Sequence, residues 1–594
     1  LFGDASYDYV GHLKNNTNLV PCYKSPSSLD PLGTYTSDDF FGMLNDNDNI
    51  NSSAAANLLD IGIGRIPAKN VTDAKNVVDK IIAYTQKESL GPWRNDLTFV
   101  ADDEDANLHL NDAETMSATV SSVYPLGNEQ KIYLDAYKQQ SGSGGSSYPD
   151  VNAAINNKIF SGTLIWNYSG HGGPTRLAEE AILDPDMVKT WINPNKLPLF
   201  ITATCDFAPY DNPFINSIGE DILLREKNGA IGLMTTTRVV FAFSNRIMNN
   251  NYFNLALQKK PNGKYRSLGE AVQAGKNYTY STFSDVINNR KFTLLGDPSL
   301  TLGFPNLNVN TVSINDNVNG ADTLKALNKY VVKGRVTDAS GVLMADFNGT
   351  VYATIFDKSQ VINIIIGGAG NNSVEDKDGP IIKAYLNDEK FVNGSITNAN
   401  PILIVKLSDS SGINTVGTGI GHDIIATIDN NTNTFYNLND FYEAEVDSYQ
   451  KGTIRFQLPQ LEEGVHTLTI KAWDVANNST TYLLTFRVVK SGDLEITHVL
   501  NYPNPFTTHT QFWFEHNRPG ENLQVNIRIM TITGKVVKSI HQTINTTGNR
   551  STEIEWDGKD DFGDKTGRGV YFYSIEVTTP DGKKARKLEK LVLL

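Results

Sequence analysis

The sequence has only two cysteines in 594 residues, Cys22 and Cys205. That count excludes a disulfide framework, since at most one bond could join them. No CxxC or HExxH motif occurs, so the familiar zinc-ligand spacings are missing. Positive charge is scarce: 52 Lys and Arg stand against 66 Asp and Glu, a net −14. A general nucleic-acid binder would need a basic face, so nucleic acid is excluded as a partner. No apolar run reaches the length of a membrane span. The first residues do not read as a signal peptide. "LFGDASYDY" reads instead as the end of a strand and its turn, so an N-terminal segment is expected to precede it.

What is present can build cores. Hydrophobic residues make up 40% and charged residues 20%, and length over about 150 residues suggests roughly four domains. Residues 1 to about 303 alternate short apolar runs with helical patterns. "NLLDIGIGRIPA" reads as strand and turn, and Thr72–Gln86 as a helix with apolar Ala74, Val77, Val78, Ile81 and Ile82, capped by Thr72 or Asp73. "DLTFVAD", "GTLIWNYSG", "PLFITAT" and "AIGLMTTT" read as strands. "NDAETMSATVSSVY" reads as a capped helix and "NSIGEDILLREKNGA" as a helix ending near Gly229. "SGSGGSSYPD" reads as a flexible surface loop. Alternation of this kind implies an α/β region with a mostly parallel sheet. From about 306 onward, strands recur with turn signals and almost no amphipathic helix, the texture of β-sandwiches. "VINIIIGGAGNN" joins oddly to what precedes it, which marks the first β module as short or partial. Near the end, "LQVNIRIMTITGKVV" alternates apolar Val525, Ile527 and Ile529 with polar neighbours, and a hairpin turns at Pro580-Asp581-Gly582.

The chemistry gathers at strand ends. "LFITATCDF" is an uncharged run that delivers Cys205 at its last position and then turns polar. "TLIWNYSGHGG" has the same grammar and delivers His171 among glycines. In open α/β sheets the ligand crevice lies beyond the carboxyl ends of the strands. The 34 residues between the two sites leave room for one crossover between neighbouring parallel strands. A thiol and an imidazole at one sheet edge suffice for nucleophilic catalysis, with Cys205 the nucleophile and His171 the base. The backbone N–H groups of Gly172 and Cys205 would form the oxyanion hole. A third group should orient the imidazole. "FVADDEDANLH" offers Asp102 first and Asp103 next. The run Asp102, Asp103, Glu104, Asp105 could instead hold a hard cation such as calcium, so no cofactor is required and a structural calcium is admitted. "GTGIGHD" is a weak glycine fingerprint with no following helix, and "EDKDG" is too short for a calcium loop.

"NYSGHGG" and "ITATCDF", with "GDASYDY", "IGIGRIPA" and "LLGDPSLTL", resemble the gingipain-type cysteine peptidases, which are caspase-like in fold. The resemblance covers residues 1 to about 303. It implies two side-by-side α/β subdomains, with His171 and Cys205 as base and nucleophile in the second. It also implies a substrate-pocket contact at Ser169. "NYPNPF", "TGKVVKSI", "WDGKDDFGDKTGRGVYFYSIEV" and the closing "KLVLL" look like the sorting domain of type IX secretion cargo. Together the two halves resemble the sortases of that system. The expected architecture is therefore an α/β catalytic region (1–92 and 93–303), a β module (304–370), an Ig-like sandwich (371–490) and a sorting-domain-like sandwich (491–594).

The implied activity is cleavage of sorting domains from cargo through a Cys205 thioester, with transfer to an amine on anionic lipopolysaccharide. The implied partners are cargo proteins and outer-membrane secretion components, at the cell surface. "TCDFAPYD" departs from the digestive gingipains, and no acidic residue is evidently dedicated to an Arg or Lys side chain. The rival readings are a secreted digestive endopeptidase and an inactive surface scaffold or adhesin.

Overall fold

Val100, Trp166, Phe200 and Leu233 lie on four successive strands of one sheet, and all four are fully buried. The computed structural model describes the chain apart from residues 15, 53–56, 143–144, 284, 306, 315–330, 339, 348–375, 416–421, 430–434, 446–447 and 490–492. It forms two compact units, one of residues 1–318 with 332–357, the other of 319–331 with 358–594.

The first unit is α/β. After helix α1 (Val71–Tyr84) come β1 (Asp96–Ala101), α2 (Leu108–Val123), β2 (Asn128–Tyr133), α3 (Pro149–Ser161), β3 (Ile165–Ser169) and β4 (Leu199–Ala203). Helix α4 (Ile218–Leu224), β5 (Gly232–Thr236), α5 (Ala242–Ala256), α6 (Leu268–Phe283), α7 (Val286–Lys291) and β6 (Phe292–Gly296) follow. The sheet order is β6-β5-β4-β3-β1-β2. All neighbours are parallel except the β5–β6 pair. Strands β3 to β6 are buried at every position, because packed layers cover both faces of the sheet. The chain goes from β1 to β2 on one side and then to β3 on the other. The crevice between the ends of β1 and β3 is therefore the switch point of the sheet, where ligands bind in such folds.

Several local expectations change. Asn57–Ala68 is not a strand; it makes single bridges at Arg65 and Ile66. Helix α1 buries Val77, Lys80 and Tyr84 and leaves Val78 and Ile82 exposed, so the buried stripe follows 77, 80, 81 and 84. Its N-cap is Asn70, whose side chain accepts from Asp73 N–H; Asp73 in turn accepts from Lys69 N–H. Helix α2 follows Asn107 without a side-chain cap. Helix α4 stops at Leu224, short of Gly229. The Lys80 ammonium holds the Ile222 and Leu223 carbonyls at that end, replacing a further turn. Gln140–Gly142 and Gly145–Ser147 pair as short antiparallel strands where a plain loop was expected, and α3 begins at Pro149.

The expected N-terminal subdomain, 1–92, contributes α1 and, among the described residues, one short strand pair (Tyr23–Lys24 with Thr36–Ser37). Buried charges secure this irregular segment. The Arg65 guanidinium donates twice to Asp38 and also to the carbonyls of Gly3, Val20 and Pro21. Lys276 and Arg290 converge on Asp39. Arg238 is bidentate to Asp211, which also pairs with Lys24. The first unit closes with the strand pair Asn308–Ile314 and Val332–Thr337. "VINIIIGGAGNN" and most of "GTGIGHD" lie outside the described residues.

The second unit is all β. A four-stranded sheet (Ile381–Leu386, Ile402–Ser408, Lys451–Gln457, Tyr442–Ala444) and a five-stranded sheet built on the Gly464–Trp473 and Ser479–Val488 hairpin enclose Leu386, Val405, Ile470 and Leu484. After residue 492, a three-stranded and a four-stranded sheet enclose Phe512, Phe514, Ile527 and Tyr573. The motif residues of this last sandwich meet at one corner. Phe506 N–H donates to Val592 O, Leu594 N–H donates to Phe506 O, and Asn504 bonds Lys590 O and Val592 N–H. "NYPNPF" thus clasps the closing strand "KLVLL". Among the described residues no helix is long and apolar enough to cross a membrane.

Candidate active site

Adjacent strand ends bring the two sequence-predicted catalytic residues to one edge. In the β3–β4 register Ser169 faces Ala203, and His171 and Cys205 each stand two residues beyond those partners. Parallel neighbours lie about 4.8 Å apart, so both side chains leave the same edge of the sheet. Cys205 is half-buried and its Sγ points to Val240 O at 3.7 Å. Burial pushes its thiol up, and neighbouring Asp206 adds to that, so the resting form is the thiol. Asp206 turns the chain with φ of 25°, a left-handed conformation for a non-glycine residue.

Gly172 is dictated by contact. A Cβ there would sit 2.7 Å from Thr204 Oγ1 and 2.9 Å from Leu177 Cδ2. The glycine backbone therefore lies directly against the turn that carries Cys205, the position an oxyanion donor needs. Ser169, expected to contact substrate, ends β3 and is buried, and its Oγ has no hydrogen-bond partner.

The acidic residues divide differently from the expectation. Asp102 is fully buried, and its carboxylate does not reach the imidazole. It accepts from the His171 backbone N–H at 2.8 Å, from Tyr168 Oη at 3.2 Å and from Asp103 N–H at 3.1 Å. Asp102 thus anchors the loop that carries His171 rather than its ring. Burial pushes the Asp102 carboxyl up, and the His171 N–H bond pulls the other way. Asp103 is committed to Tyr148 Oη at 2.6 Å. The ring partner is Asp105, whose Oδ2 lies 2.9 Å from His171 Nε2.

Asp105, Ala106 and Asn107 all have positive φ (58°, 54° and 66°), a run of left-handed residues beside the point where Asp105 meets His171. Strand periodicity could not reveal this, because the residue that counts lies beyond the strand in irregular backbone. The His171 bond holds the Asp105 carboxyl below the usual range. His109, which the motif reading passed over, stands edge-on to His171 with ring centroids 5.1 Å apart. The remaining acids face one another: Glu104 is pushed up to about 7 by burial and by Asp102, Glu179 and Glu180. Asp102, Asp103 and Glu180 bring carboxylate oxygens within 4.8 Å of one another, the place where the calcium expectation would fall.

This arrangement can deprotonate a thiol, direct it at a carbonyl and stabilise the resulting oxyanion. Residues 1–303 match the family model of peptidase family C25. Among solved structures, the chain is similar to dimeric latent PorU from Porphyromonas gingivalis, at 23% identity and a TM-score of 0.27, over 100% of this chain and 57% of that one. It is also similar to the Arg-specific cysteine proteinase gingipain R, at 15% identity and a TM-score of 0.38, over 77% of this chain and 79% of that one. The complex of Porphyromonas gingivalis RgpB pro- and mature domains matches at 14% and 0.37, over 76% and 81%. The chain thus spans little more than half the length of the PorU chain. No curated protein matches.

Proposed function

This chain belongs to peptidase family C25 and is a cysteine peptidase, and from that premise we propose that it is a sortase acting through a Cys205 thioester. The observation that carries the catalytic assignment is the β3–β4 register, which sends His171 and Cys205 out of one sheet edge. With Nε2 held by Asp105, His171 Nδ1 is the nitrogen left for the thiol. It takes the Sγ proton as sulfur attacks the scissile carbonyl carbon. The oxyanion then forms against the N–H groups of Gly172 and Cys205. On collapse the C–N bond breaks, and the imidazolium returns the proton to the leaving amine. The acyl group remains on sulfur until an amine attacks; the thiol is regenerated, and a new amide is made.

We read the cargo as proteins bearing a C-terminal sorting domain, cut at the junction with that domain. The acceptor is an amine on anionic lipopolysaccharide, and the site of action is the cell surface with outer-membrane secretion components. No nucleic acid takes part. The clasped "NYPNPF"–"KLVLL" corner of this chain's own last sandwich supports the reading. A digestive endopeptidase is the second reading, favoured by the half-exposed His171, since water can reach the base.

The test incubates purified sorting-domain cargo with the protein and a small amine, with wild type beside Cys205→Ala. Intact mass is the readout. Amine-capped cargo from wild type alone supports the sortase. Free acid alone, with amine in excess, assigns hydrolysis instead. The Cys205→Ala rate is expected to fall by about 10⁴-fold or more; an unchanged rate overturns the nucleophile.

A further inference from the structure

His109 stands beside His171 and has no role in the proposed reaction. It is buried, at 4% exposure, and its Nε2 has an ion-pair contact to Asp105 but no hydrogen bond of good geometry. A buried imidazole nitrogen held by one long contact is under-satisfied, and a ligand that binds it is one reason for it to persist. Its Nε2 lies 3.4 Å from Asp105 Oδ2, the same oxygen that stands 2.9 Å from His171 Nε2. All three donor atoms fall within 4.8 Å of one another. Tetrahedral zinc with bonds of about 2.0–2.1 Å places its ligand atoms about 3.3 Å apart. Two imidazoles and one carboxylate are a donor set for a divalent transition ion rather than for calcium, which takes oxygen ligands. The left-handed run at 105–107 turns the shared carboxylate between the two rings. His109 is set by α2 and Asp105 by that run, while the His171 side chain is half-exposed.

We propose that Asp105, His109 and His171 form a binding site for a divalent transition ion such as zinc, and that occupancy switches the peptidase off. The inhibitory half rests on the reading of His171 as the base. A metal on Nε2 needs that nitrogen's lone pair, so the single proton of the neutral ring, held on Nε2 against Asp105 in the metal-free site, moves to Nδ1. That nitrogen can then no longer accept the Cys205 proton. Inhibition therefore requires no bond from the metal to sulfur. The ion has an open fourth position, and the ligands come from two segments: the β1–α2 loop running into the first turn of α2, and the residues just beyond β3.

The experiment titrates the full chain with Co²⁺ as a visible-absorption probe, then displaces it with Zn²⁺. The same samples are assayed for labelling of Cys205 by a thiol-directed acyl probe. Losing even an outer partner of a metal ligand costs about 10–100-fold in affinity, so His109→Gln and Asp105→Asn should each weaken cobalt binding by more than about 100-fold. Zn²⁺ should suppress acylation of wild type and lose that effect in His109→Gln, while Asp105→Asn, which alters the ring partner of the base, is read by cobalt binding alone. Asp105 is exposed, so Asp105→Asn keeps the test decisive if His109→Gln misfolds. Cobalt binding unchanged in the folded variants overturns the site. Site-dependent binding without suppression of labelling overturns the switch. Cys205→Ala should bind cobalt like wild type even though it cannot be acylated, which separates failure of this site from failure of the thioester reading.

Discussion

The two units bury their strands in opposite ways. In the α/β unit β3 to β6 are buried at every residue. In the last sandwich Leu523–Thr531 buries Leu523, Val525, Ile527 and Ile529 and turns the residues between them outward. The first pattern needs layers on both faces and leaves only the strand ends open, so chemistry gathers at an edge. The second leaves a whole face open and a core one layer deep. The units also differ in what they bury. Arg65, Lys80, Lys276 and Arg290 are almost wholly enclosed in the first unit and hold irregular segments through carboxylates and carbonyls. The sandwiches bind their strands by backbone ladders and alternating apolar side chains, and rely far less on buried cations. Where the chain makes few ladders, ionic hydrogen bonds replace them.

The largest effect that would sharpen this contrast is a cavity in the sandwich. Ile527→Ala should cost about 2–5 kcal/mol of that module's stability in denaturant unfolding. Acylation of Cys205 by an activated ester should keep its wild-type rate. A parallel drop in acylation would mean that the sandwich supports the site, and the contrast would fail. Next comes Gly172→Ala, which forces a Cβ against Thr204 and Leu177. Acylation kcat should fall about 10–100-fold with KM little changed, since small displacements at the reacting centre are costly. An unaltered kcat would remove Gly172 from the oxyanion hole.

The smallest effect concerns pH. Glu104 is raised to about 7 in the folded chain from an ordinary 4.5. Its contribution to stability is thus fully present below about 4.5 and is lost as pH rises through 7. Glu104→Gln should flatten the decline in melting temperature of the α/β unit across that window. Equal slopes in both proteins would show that Glu104 is not the group responsible.

Much of the frame was legible beforehand. Strands β1, β3, β4 and β5 fall on apolar runs bounded by turn signals, and the alternation at 523–531 declares one open face. His171 and Cys205 were legible because strand ends in a parallel sheet share an edge, and sequence displays strand ends directly. Asp105 was read as one of four neighbouring acids, because its role depends on a left-handed loop that no periodicity encodes. The misjudged face of α1 has a related cause: Lys80 lies where a polar residue should face water, and only carbonyls contributed by α4 and the loop after it make its burial tolerable.

The sequence by itself determined the two textures, the two strand ends that carry a thiol and an imidazole, and the glycines beside His171. Those features follow from short-range rules of polarity, period and turn chemistry. Only the tertiary structure decided which carboxylate meets the imidazole ring, that Asp102 grips the loop of the base, and that His109 stands buried beside it. Those pairings join groups brought together by chain crossovers, and their partners are set by where the backbone turns after each strand ends.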